Sequence, residues 1–237
     1  MRSVSKRNVW VGISWCLEKL DTVTSVMLFV FVAPIALIAC CGLYEDFEVE
    51  HSINDDIPVN AVDDTEKLQF LRDYDDARMW LMIESTSIDY PVMQAKDNSW
   101  YLSRNYAGDF SGAGSLFLDW RNQMGDDAWL IYGHSMSGER MFSELAKYAD
   151  ADFLAAHRWG WLWFEEAKHE VEILGYAELD ANSAIVYDME KYRNGQNAQI
   201  LQLFNLENRD GRLVILSTCS RKSRKLRDVV LGLVLEK

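Results

Sequence analysis

Short apolar or alternating runs, split by turn-forming residues, fill the chain from residue 79 to 236 and limit what it can fold into. They are MWLMI (79–83), SIDYPVM (87–93), GSLFLD (114–119), AWLIYGH (128–134), WGWLWF (159–164), HEVEILGYAEL (169–179), SAIVYD (183–188), RLVILSTC (212–219) and RDVVLGLVLE (227–236). Runs of this length fit strands better than helices. HEVEILGYAEL alternates with one slip, which predicts a bulge at Gly175. Helical patterning is confined to residues 66–80, 97–105, 138–157 and 188–208, the last being the longest connection. Many short strands with few helical crossovers predict a mainly β fold, a closed antiparallel or mixed barrel and not a doubly wound sheet. The glycines of NYAGDFSGAGS (105–115) lack phosphate-binding spacing and read as turns.

The N-terminus obeys another rule. Residues 23–44 carry no charged side chain. A helix of about 22 residues, rising ~1.5 Å per residue, crosses a hydrocarbon core of ~30 Å. Arg2, Lys6, Arg7 and Lys19 precede it, and Glu45, Asp46, Glu48 and Glu50 follow. That asymmetry predicts a single-pass protein of the cell membrane, with residues 1–22 cytoplasmic, 23–44 a transmembrane signal anchor and the remainder extracellular. A cleaved signal peptide, a lipoprotein box at LIAC (37–40) and a buried soluble helix are the alternatives. Residues 45–66 are acidic and weakly patterned, as in a solvated stalk, which leaves 67–237 as the folded domain.

Charge and cysteine usage narrow the function. The net charge is −13 and the pI about 4.7, which argues against a nucleic-acid partner. Cys16, Cys40 and Cys41 lie in or before the apolar segment, so the outer domain has only Cys219 and can form no internal disulfide. A lone thiol in an oxidising compartment is either a reactive group or a small buried hydrophobe, and composition does not decide between them. Cys219 ends an apolar run, His134 ends another, and Arg227 opens the last. Strand ends can share one rim of a barrel. There, an imidazole can hold a thiolate and pass a proton to a leaving amine, and a fixed guanidinium can meet a tetrahedral oxyanion. His51, His157 and His169 read as surface or capping residues, and no close ligand spacing points to a metal. No cofactor is called for. Arg221, Lys222, Arg224, Lys225 and Arg227 concentrate positive charge just after the cysteine, and most of it reads as charge balance in an acidic domain.

LSTC (216–219) followed by Arg227, with IYGHSM (131–136) upstream, resembles the signature of the sortases, membrane-anchored cysteine transpeptidases of Gram-positive bacteria. Residues 80–122 and the long helical connection before the cysteine run are most similar to class B. The resemblance covers about residues 68–237 and implies an eight-stranded sortase-type β-barrel with added helices. It implies His134, Cys219 and Arg227 as the catalytic set, and Asn98, Leu102, Tyr132 and Ser217 as substrate-groove residues. The implied reaction cleaves an LPxTG-like C-terminal sorting signal of a secreted protein. The acyl group then passes to an amine of a lipid-linked peptidoglycan precursor or of a pilin. A hydrolase that gives the acyl group to water, and a tethered binding domain without catalysis, are the rival readings. The loop after Cys219 is more basic than the class pattern requires.

Overall fold

In the computed structural model, the described residues are Ile35, 63–189, 197–207, 209–220, 222–223 and 225–235. The chain divides into two compact units, residues 1–51 and 52–237, and the elements below belong to the second. Among the described residues, no helix is long and apolar enough to cross a membrane. Apart from Ile35, the expected anchor at 23–44 lies outside them.

Eight strands close into a barrel: β1 (Ala77–Ile83), β2 (Asp89–Met93), β3 (Leu116–Leu118), β4 (Ala128–Tyr132), β5 (Trp159–Phe164), β6 (Ala167–Asp180), β7 (Arg212–Cys219) and β8 (Leu226–Leu235). Their order around the barrel is β1-β2-β3-β4-β7-β8-β6-β5, so the mainly β expectation holds. Pairs β2–β3 and β4–β7 are parallel, and every other pair is antiparallel. The register of β6 on β8 shifts between Ile173 and Gly175, where the sequence slips.

Alternation explains the continuous apolar runs of β4, β7 and β8. Trp129, Ile131, Val214, Leu216, Val230 and Val234 point into the barrel core. Their neighbours Ala128, Leu130, Leu213, Ile215, Val229 and Leu231 pack in a second cluster with Val186, Ile200 and Leu201. Strands buried on both faces lose the polar half of their pattern. The outer layer comes from α3 (Ala184–Tyr187) and α4 (Ala198–Leu203). SAIVYD, expected as a strand, therefore supplies α3: its Ile-Val-Tyr run is strand-like locally, but Val186 is buried as one turn of helix against the barrel.

The remaining helices are shorter than their patterns suggest. In 97–105 only a 3₁₀ turn forms, Trp100–Leu102. The 138–157 segment splits into a 3₁₀ helix, Ser143–Ala149, and α2 (Ala151–Ala156), with Asp150 capping α2. The first helix, α1 (Asp64–Asp73), starts earlier than expected because Asp63 and Glu66 form a reciprocal capping box. It docks through an unusual core residue. Lys67 is 2 % exposed, pairs with Asp89 at 2.6 Å and stands over the Trp163 ring at 4.3 Å.

Candidate active site

β7 and β8 form an antiparallel hairpin whose last register pair is Cys219 with Arg227. Cys219 is exposed. β4 lies beside β7 in parallel, with Tyr132 opposite Ser217. The Gly133 N–H continues the ladder, donating to the Ser217 carbonyl at 3.2 Å. Two residues beyond that register pair the chains reach His134 on one side and Cys219 on the other, so both leave the barrel at the same end. Only glycine fits at 133, since a Cβ there would run into the Leu116 and Phe142 side chains.

The His134 Nε2 lies 2.8 Å from the Leu102 carbonyl oxygen. A carbonyl can only accept, so that contact puts a proton on Nε2 and leaves Nδ1 as the nitrogen that can gain or lose one. Leu102 thus meets His134 through its backbone, and the residue is 43% exposed. The Arg227 guanidinium, half-buried, donates to the Leu226 carbonyl at 3.0 Å.

Behind this rim sits a buried carboxylate that the sequence did not single out. Asp119 is fully buried. Its Oδ2 accepts from Arg121 at 2.8 Å, from Asn98 Nδ2 at 2.9 Å and from the Tyr132 hydroxyl at 3.0 Å. Burial works against the charged form of Asp119, but the Arg121 and Asn98 donors outweigh it and hold its carboxyl below the ordinary range. The Tyr132 phenol is pushed well up, first by burial and then by the Asp119 charge.

Arg121 also donates to the Tyr187 carbonyl at 3.2 Å, tying α3 to the barrel. The Tyr187 ring lies parallel to Tyr132 at 6.3 Å, and its hydroxyl shares a hydrogen bond with Ser217 Oγ at 2.9 Å. Burial raises the Tyr187 phenol, the Ser217 bond and the Arg227 charge lower it, and Cys219 acts in the raising direction.

All seven residues named from the sequence thus fall at one end of the barrel or in the network beneath it. Their accessibility differs. Ser217 is buried with its hydroxyl engaged by Tyr187, and Asn98 is held at both ends, its Oδ1 accepting from the Trp120 N–H at 2.9 Å. Asp119, Arg121 and Tyr187 are additions. The Asp-x-Arg spacing in LDWRN at the end of β3 was the available signal for the first two. In the basic loop, Lys222 pairs with Glu178 of β6 at 2.9 Å, and Ser220 Oγ donates to the same carboxylate at 3.3 Å. Arg221 and Arg224 lie outside the described residues.

On a closed mixed barrel, an exposed cysteine and its register partner arginine share the end that also carries a histidine, the residue types that acyl transfer through a thioester uses. No family model matches the chain. The curated sortase B of Listeria monocytogenes is 35% identical over 170 residues, 67% of this chain and 69% of that protein. The solved structure of sortase B from Listeria monocytogenes superposes with a TM-score of 0.59 at 35% identity, over 72% of this chain and 99% of that one. A class B sortase of Streptococcus pyogenes involved in pilus biogenesis gives 0.63 at 27% identity, over 70% of this chain and 96% of that one. The chain belongs to the class B sortases, a family generally of cysteine transpeptidases.

Proposed function

We propose that this chain is a membrane-anchored transpeptidase that joins secreted proteins to an amine through a thioester on Cys219. The observation that carries the reading is the pairing of Cys219 with Arg227 across β7–β8, at the end of the barrel where β4 delivers His134. The Cys219 thiolate attacks the Thr carbonyl of an LPxTG-like sorting signal, and the tetrahedral oxyanion forms against the Arg227 guanidinium. The C–N bond then breaks, and the departing amine takes a proton from His134. An acceptor amine attacks the thioester carbonyl, gives its proton to His134, and the C–S bond breaks to restore Cys219. A lipid-linked peptidoglycan precursor is the acceptor we favour. A pilin lysine is the second candidate, supported by the pilus-associated relative.

The charge-free segment 23–44, flanked by basic residues before and acidic residues after, supports a signal anchor that leaves the barrel outside the cell. Anchoring would bring enzyme, secreted substrate and lipid-linked acceptor to one surface and raise their effective concentrations.

Intact-protein mass spectrometry with sorting-signal peptides tests the chemistry. The expected result is an adduct on Cys219, absent in Cys219→Ala, that disappears as a ligated product forms on adding amine. Turnover indifferent to amine would make the protein a hydrolase. A thiol that captures no peptide would leave a tethered binding domain. Protease protection in sealed membrane vesicles tests the orientation.

A further inference from the structure

The barrel carries a cleft whose lining includes none of Cys219, His134 and Arg227. This open cleft has a volume of about 750 Å³, within the range of roughly 300–1,000 Å³ that holds small ligands. Trp100 and Trp120 line it, 45% and 52% exposed. Exposed indoles of this size, gathered at one concavity, mark recognition surfaces.

The backbone that presents each ring is held in place. Asp97 Oδ1 accepts from the Ser99 and Trp100 N–H groups at 2.8 and 3.1 Å, which fixes the turn that presents Trp100. The Arg104 guanidinium stacks 4.2 Å from the Trp100 ring centre. The Trp120 backbone N–H donates to Asn98 Oδ1 at 2.9 Å, which fixes the chain that carries this ring. Two aromatic platforms on a fixed backbone, one of them stacked on a guanidinium, lower the entropy cost of binding.

The polar lining selects the ligand. Asp76 and Asp97 are matched by Arg78 and Lys96, so the cleft is charge-balanced within a chain of net charge −13. That balance favours a neutral ligand over a polyanion or a lone cation. Gln94 forms part of the lining and is locked by Nε2 donation to the Asp119 and Asn122 carbonyls, both at 2.9 Å. Asp76 uses Oδ2 for the Tyr101 hydroxyl, and Asp97 uses Oδ1 for its cap, so each carboxylate has a second oxygen for a hydroxyl donor. The barrel is closed, so β1 and β2 offer no open edge to which a peptide could add as a strand. A pyranose has flat C–H faces and a hydroxyl rim. Indole faces suit the first, and carboxylate, ammonium and guanidinium groups suit the second.

We propose that this cleft binds a neutral saccharide of roughly two or three pyranose rings, stacked on Trp100 and Trp120. Trp100 lies in the same 3₁₀ turn as Leu102, whose carbonyl meets His134, so one turn serves both the saccharide cleft and the histidine. The inference stands apart from acyl transfer, because its test reads binding and not turnover.

The test titrates the full chain, in a detergent without a sugar headgroup, with an N-acetylglucosamine tetramer and separately with a glucose tetramer. Calorimetry should detect binding of at least one. Trp100→Ala and Trp120→Ala should each weaken it at least about tenfold, and Trp120→Tyr should recover part of the loss. In the unaltered protein, the indole N–H resonances of Trp100 and Trp120 should move on titration. Binding of neither saccharide would overturn the proposal. So would binding that the alanine variants leave unchanged, movement of other indoles only, or competition by a sorting-signal peptide for the same site.

Discussion

Cys219 and Arg227 face each other as the last register pair of the β7–β8 hairpin, so the strand ladder sets the backbone positions from which the thiol and the guanidinium extend. Lysine has no planar fork of donors and cannot reproduce the arginine there. Arg227→Ala should lower kcat/KM for acyl-enzyme formation about 10²–10³-fold, and Arg227→Lys should recover only part of it. Stopped-time mass spectrometry of the adduct gives the rates. A lysine variant as fast as the parent would remove the oxyanion role from Arg227.

Asp119 holds Arg121, Asn98 and Tyr132 from a fully buried position. Asp119→Asn keeps the shape and removes the charge that Arg121 answers. It should destabilise the domain by about 2–4 kcal/mol in urea unfolding. Because the carboxyl is held below its ordinary range, its contribution is complete above the unfolded pKa of about 3.9 and is lost as pH falls through the lower folded value. The parent should therefore lose stability more steeply than Asp119→Asn below about pH 4.

Lys67 pins α1 to the barrel from between Trp80 and Trp163, with Asp89 as its ion-pair partner. Lys67→Met preserves most of the packing volume but strands the carboxylate, which also accepts from Trp80 Nε1 at 2.6 Å. A loss of about 2–4 kcal/mol is expected. The double variant Lys67→Met, Asp89→Asn should recover part of it, and a cycle showing simple additivity would refute the coupling.

Gly133 is the residue between the end of β4 and His134, where the Leu116 and Phe142 side chains leave no room for a Cβ. Gly133→Ala should cost about 1–3 kcal/mol through overpacking. Activity should fall further than stability predicts, because relief of the clash displaces the histidine. Adduct formation compared at temperatures where both proteins are fully folded separates the two effects.

The barrel and its rim were readable because their signals are local. Short apolar runs set the strands, and each named rim residue marks a strand end. The network around Asp119 was not readable in that way. Asp119 and Arg121 are neighbours in sequence, but Asn98, Tyr132 and Tyr187 reach them only when three separate segments meet. The helix α3 was misread for a related reason. Its run favours a strand until the outer faces of β4, β7 and β8 offer Val186 a place to bury as a helix.

The parallel pairing of β4 with β7 has a consequence for how reactivity arises. The thiol and the guanidinium belong to one hairpin and can meet early, since little chain separates them. The histidine arrives on a strand from far upstream, and only after the intervening β5, β6 and helices have been accommodated. A chain in which only this hairpin has formed holds Cys219 and Arg227 together without His134. Assembly of all three proposed site residues at one barrel end therefore waits on closure of the barrel.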